Sequence, residues 1–114
     1  MIGSKWSISG LRKVLRANNV DDNVIFNRIK DIIIKTFMSV ENEMKSNFLL
    51  TVPHKNNCFQ LFGFDIMIDE KLNPWLLEIN ANSSLSCDSP LDHKIKSGLI
   101  TDLFNLVGIN NIDL

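Results

Sequence analysis

Apolar positions along this chain follow two different periods, and the change of period separates helical from extended segments. Residues 7–18 read as a short helix, with Ser7 or Ser9 as N-cap, Leu11, Val14 and Leu15 on its apolar side, and Asn18-Asn19 at its end. Ile25, Ile29, Ile32, Ile33, Phe37, Val40 and Met44 then recur at steps of three and four, which predicts a second helix with a buried stripe. Asp21, Asp22 or Asn23 can cap its start. Residues 46–57, with Pro53, Asn56 and Asn57, read as a linker holding a short strand at Phe48–Val52. Residues 58–80 predict a hairpin, because apolar runs flank the turn-forming stretch Asp69-Glu70-Lys71-Leu72-Asn73-Pro74. A last helix spans roughly 91–107, with Leu91, Ile95, Leu99, Leu103 and Leu106 on one stripe and Gly108 as its stop. The sum is an α+β chain in which helices pack a small antiparallel sheet, read as one domain over 1–114.

The hairpin carries the chemistry. In a hairpin symmetric about Lys71/Leu72, Ile68 faces Trp75, Ile66 faces Leu77, Asp65 faces Glu78 and Asn80 faces Gly63. Directly opposed residues share a face, and the side-chain period is two, so Asp65, Glu78 and Asn80 converge. Phe62, Phe64, Ile66 and Ile68 fall on one side of the first strand, with Phe59, Leu61 and Met67 on the other, so both faces are expected to lie under helices. Carboxylates buried in such surroundings are costly unless a cation or donors meet them. Two carboxylates and an amide are hard oxygen donors, which suits Mg²⁺. Gly63 leaves space for a metal or a phosphate.

Composition narrows the alternatives. A chain of 114 residues, 45% hydrophobic and 22% charged, can form one small core. The net charge of −1 supplies no basic field for nucleic acid or a membrane surface. No apolar run is long enough to span a bilayer, and residues 1–20 lack the apolar core of a signal peptide. Cys58 and Cys87 fit reduced thiols of an intracellular protein. Cys87 has no base nearby in sequence, His54 and His93 have no partner at ligand spacing, and Lys94 and Lys96 read as a solvated helix face. Trp75 is expected in the core; Trp6 suits either a core anchor or a binding edge.

Three blocks resemble the tubulin–tyrosine ligase-like family: Phe62-Gly63-Phe64-Asp65, Pro74-Trp75-Leu76-Leu77-Glu78-Ile79-Asn80, and Ser84-Leu85-Ser86-Cys87-Asp88-Ser89-Pro90-Leu91-Asp92. Lys5-Trp6-Ser7 is similar to a further family block, so the resemblance runs over about residues 4–109 and is closest to the polyglutamylases. It implies the C-terminal part of an ATP-grasp fold in which Asp65, Glu78 and Asn80 hold the Mg²⁺ that bridges ATP phosphates. It further implies glutamate addition to glutamate side chains of tubulin tails through an acylphosphate. Free glutamate would be the second substrate, tubulin or microtubules the acceptor, and the cytoplasmic cytoskeleton, cilium or basal body the location. Ala81 and Asn82 would approach the acceptor. The family usually has Ser-Pro-Ser-Leu where this chain has Asn82-Ser83-Ser84-Leu85, and the lost proline relaxes that loop. No Gly-rich phosphate loop is present, so the 114 residues alone are expected not to catalyse ligation. A tyrosine or glycine ligase of the same family, or a non-catalytic microtubule- or partner-binding module, would share the hairpin. The near-neutral charge disfavours strong binding to an acidic tubulin surface.

Overall fold

The computed structural model describes residues 5–51, 58–82 and 84–108. Its elements are α1 (Ile8–Ala17), α2 (Asp22–Thr51), β1 (Gly63–Ile68), β2 (Pro74–Asn80) and α3 (Pro90–Val107). The fold is α+β, with a two-stranded antiparallel sheet. The backbone groups into two compact units, divided between Leu11 and Arg12 and between Ser83 and Ser84.

The unit between those divisions holds the hairpin. α1 ends in a Schellman motif: Asn19 takes a left-handed φ of 59°, Val20 N–H donates to Leu15 O, and Asn19 N–H to Arg16 O. Asp21, one of the three candidate caps, starts α2 by accepting from Asn23 N–H at 3.0 Å. Asp22 follows at the first helical position and is only 3% exposed. Arg12 Nε reaches it at 2.6 Å, Arg16 binds it through Nε and Nη2 at 3.0 and 2.9 Å, and Arg12 Nη2 donates to Asn23 Oδ1 at 2.7 Å. The Arg12 guanidinium also lies 4.5 Å from the centre of the Phe26 ring. The hydrogen bonds from Arg16 and Arg12 hold the Asp22 carboxyl far below the usual carboxylate range, against the opposing effect of burial.

Ile25, 2% exposed, is the one fully buried hydrophobic side chain among the described residues. Burying a side chain of that size is worth about 1.5–3 kcal/mol. Ile29, Ile32, Ile33 and Phe37 are half-buried along the same stripe, and the Phe37 ring meets Phe62 and Phe64 at centroid distances of 5.4 and 5.7 Å. The stripe ends there. Val40 and Met44 are exposed, contrary to the periodicity, because the sheet contact lies at Phe37 and the helix continues past it.

That continuation takes the place of the expected linker and strand over residues 46–51. α2 runs to Thr51, so Phe48–Thr51 is helical rather than strand. Glu41-Asn42-Glu43-Met44-Lys45 holds several strong helix formers, and neither glycine nor proline occurs between Gly10 and Pro53, so nothing interrupts the helix. Pro53, His54, Asn56 and Asn57 lie outside the described residues.

In the other unit, Ser7 proves to be the α1 cap, accepting from Gly10 N–H at 3.0 Å. α3 is framed at both ends. Ser89 accepts from Asp92 N–H at 3.1 Å, Pro90 opens the helix, and Gly108 closes it at φ 80° with its N–H on Phe104 O. Asp92 reaches back to Asp88 N–H at 3.1 Å and meets Lys5 Nζ at 3.4 Å. The Asp88 N–H, then the Lys5 charge, lower its carboxyl below the usual range. Lys96 Nζ donates to Ser86 O, so this lysine braces the loop instead of lying free on a solvated face. His93 is exposed, as expected. Of the expected α3 stripe, Leu91 and Leu103 are half-buried, whereas Ile95, Leu99 and Leu106 are exposed. Both cysteines are free and exposed. No described helix is long and apolar enough to cross a membrane.

Candidate metal centre on the hairpin

A five-residue turn sets up the hairpin. The Asp69 carboxylate accepts from Lys71 N–H at 2.9 Å and Asn73 N–H at 2.8 Å, while Asp69 N–H donates to Asn73 O at 3.0 Å. Leu72 takes a left-handed φ of 64° to close it. The other Asp69 oxygen accepts from Trp75 Nε1 at 2.9 Å, and Arg28 Nη1 reaches Asn73 Oδ1 at 3.3 Å. The bond from the Trp75 indole, then that from Asn73 N–H, draw the Asp69 carboxyl below its ordinary range. Trp75 is 59% exposed, not a core residue: its apolar ring stays open to solvent and its N–H fastens the turn.

The register follows from this turn. Ile68 pairs with Pro74, Met67 with Trp75 and Ile66 with Leu76; a bulge then intervenes, and Asp65 pairs with Glu78, Phe64 with Ile79 and Gly63 with Asn80. The expected pairs Asp65/Glu78 and Gly63/Asn80 are present, whereas Ile66/Leu77 and Ile68/Trp75 are not. Asp69 closes the turn one residue earlier than a symmetric hairpin would, and Leu77 is the extra residue that absorbs the difference. The ladder begins at Gly63, so residues 58–62 are not part of β1.

One face therefore carries Gly63, Asp65 and Met67 beside Asn80, Glu78 and Trp75. The opposite face carries Phe64, Ile66 and Ile68, all half-buried, and Phe64 is the residue that meets Phe37 of α2. The sheet is thus covered on one side of this unit only. Asp65 and Glu78 are exposed, not enclosed by apolar residues, because they stand on the face that α2 does not cover. Met67 beside them is 55% exposed.

No described residue gives Asp65, Glu78 or Asn80 a side-chain hydrogen bond or ion pair. Three sets of oxygen atoms on one face are consequently open to a ligand, and Gly63 adds no side chain opposite Asn80. Two carboxylates opposed across a hairpin repel one another. A hard divalent cation fits this donor set in charge and ligand type. Among the described residues no group of three or more His, Cys, Asp and Glu side chains gathers, so the trio depends on the Asn80 amide for its third donor.

Beyond Asn80, Ala81 and Asn82 are exposed, and Ala81 O accepts from Gln60 Nε2 at 2.9 Å. The sequence pattern points to neither Gln60 nor the arginine pair on Asp22, since neither contact follows from helix or strand periodicity. The Asp69 turn has a local signal in Asp69 and Asn73, four residues apart and both turn formers.

Comparison with known proteins supplies the wider frame. The model of the tubulin-tyrosine ligase family matches residues 1–113. The mouse tubulin polyglutamylase TTLL5 is 44% identical over 106 residues, covering 93% of this chain and 8% of the relative. The human tubulin monoglutamylase TTLL4 is 43% identical over 106 residues, covering 93% of this chain and 9% of the relative. The Caenorhabditis elegans tubulin polyglutamylase ttll-5 is 37% identical over 112 residues, covering 98% of this chain and 15% of the relative. The chain thus spans a small part of the length of each relative, and it belongs to the tubulin-tyrosine ligase family.

Proposed function

We propose that the chain is the C-terminal portion of the catalytic domain of an ATP- and Mg²⁺-dependent ligase that adds glutamate to glutamate side chains of tubulin tails. One observation carries the reading: the hairpin register sets Asp65 against Glu78 and Asn80 against Gly63 on a face whose oxygen atoms have no partner among the described residues. Family membership and the glutamylating relatives support the substrate class. The acceptor is then tubulin or microtubules, and the location the cytoplasmic cytoskeleton.

In this reading the acceptor carboxylate oxygen attacks the γ-phosphorus of ATP, and ADP leaves. The amine of free glutamate attacks the resulting acylphosphate carbon, loses a proton and expels phosphate, giving an isopeptide bond. Asp65, Glu78 and Asn80 act as ligands, not as acid or base. Mg²⁺, when bound, offsets charge on the transferring phosphoryl group. The α2 contact and the Asp69 turn hold β1 and β2 in register, so the donors are arranged before ligand arrives. Ala81 and Asn82 lie next along the chain, where an acceptor tail would approach.

The test is ATP-dependent transfer of labelled glutamate to tubulin by the longest product of this gene, wild type beside Glu78→Gln. Transfer by the wild type, reduced roughly 100-fold or more in the variant, is expected for loss of electrostatic support to the phosphoryl group. A folded wild type that transfers no glutamate would overturn the reading. The bare 1–114 chain is expected to be inactive in the same assay.

A further inference from the structure

Gln60 lies before the ladder begins, yet its side chain closes a contact across 21 residues of sequence, donating through Nε2 to Ala81 O at 2.9 Å. Ala81 directly follows Asn80, the last residue of β2, and its carbonyl belongs to the peptide that leads into Asn82. Backbone pairing stops at Gly63/Asn80. Past that rung, the Gln60 bond is the one hydrogen bond to the backbone of Ala81 and Asn82 among the described residues.

From this geometry we infer that Gln60 is a positioning residue, fixing the Ala81–Asn82 peptide so that the segment after the metal face meets the acceptor in a defined orientation. The inference rests on the ligase reading given above. Gln60 is exposed, and an exposed amide–carbonyl bond exchanges readily with water, so its net contribution to stability is small. Its effect belongs to orientation, where a displacement of the order of an ångström is enough to slow a reaction substantially. The contact touches the side chain of none of Asp65, Glu78 and Asn80, and it holds the peptide that leads away from Asn80. Loss of the donor should therefore burden the acceptor and leave the nucleotide unaffected.

The experiment uses the longest product of the gene, with ATP, labelled glutamate and tubulin. Gln60→Met keeps the length of the side chain and removes the donor; Gln60→Lys restores an N–H donor. Gln60→Met is expected to lower kcat/KM for tubulin about tenfold, with KM for ATP and the melting temperature unchanged, and Gln60→Lys to recover part of the loss. Wild-type kinetics in Gln60→Met would overturn the inference while leaving the ligase reading intact. So would a fall in melting temperature matching the loss of activity in both variants, which marks a purely structural contact. A folded wild type without glutamate transfer would remove the ligase reading and this inference together.

Discussion

Asp22 carries more of the local order than its place in the sequence announces. It is an acidic residue at the first turn of α2, where the helix dipole favours negative charge, and two guanidinium groups converge on it. Its carboxyl titrates below the unfolded value of about 3.9. The folded state therefore binds fewer protons than the unfolded state near and below that value. The stability from this group is fully present above the ordinary carboxylate range and is lost as pH falls toward the depressed folded value. Asp22→Asn should accordingly lower the melting temperature at neutral pH and flatten its decline in acid, below about pH 4. Melting curves from pH 2 to pH 7 check this, and an unchanged acid limb in the variant would contradict it. Asp22 was visible in the sequence only as one of three possible caps. The arginines that bind it stand 10 and 6 residues earlier in the chain, a relation that helical periodicity does not encode.

At the scale of elements, local chemistry was legible and long-range pairing was legible in part. α3 shows the first: Ser89, Pro90 and Gly108 sit in their preferred positions, and the expected helix of 91–107 differs from Pro90–Val107 by one residue. Ser89→Ala removes the oxygen that satisfies Asp92 N–H and should cost about 1 kcal/mol of folding stability, read by denaturant unfolding. The hairpin shows the second. Asp65 against Glu78 followed from a hairpin taken as symmetric about Lys71/Leu72, and the pair is present because the bulge at Leu77 offsets the one-residue shift of the turn closed by Asp69; the bulge itself has no signal in the apolar pattern. The end of α2 shows a failure: Phe48-Leu49-Leu50 looks like a strand by composition but finds no partner strand among the described residues, and the uninterrupted helix takes it in.

For the chain as a whole, one-sided packing of the sheet decides what the candidate site can do. The sequence pattern implied apolar cover on both faces of the sheet, since it cannot tell a face packed by α2 from an apolar face open in this unit. The covered side of the hairpin supports it through Phe64 against Phe37, while the open side presents Asp65 and Glu78 with no compensating positive charge among the described residues. Without cation, the two carboxylates oppose one another at a cost of order 0.5 kcal/mol. With cation, binding to the folded state alone adds RT ln(1 + [L]/Kd), about 1.4 kcal/mol at a concentration ten times Kd. The two effects have opposite signs in a variant that lacks one carboxylate. Glu78→Gln should therefore melt slightly above wild type in chelator, yet fail to rise when Mg²⁺ is added, whereas wild type rises with Mg²⁺ in a concentration-dependent way. Thermal melts of the longest product of the gene across a Mg²⁺ titration separate these outcomes. Strong destabilisation of Glu78→Gln in chelator would instead make Glu78 a structural acceptor, and equal Mg²⁺ responses in both proteins would remove the carboxylate pair from metal binding.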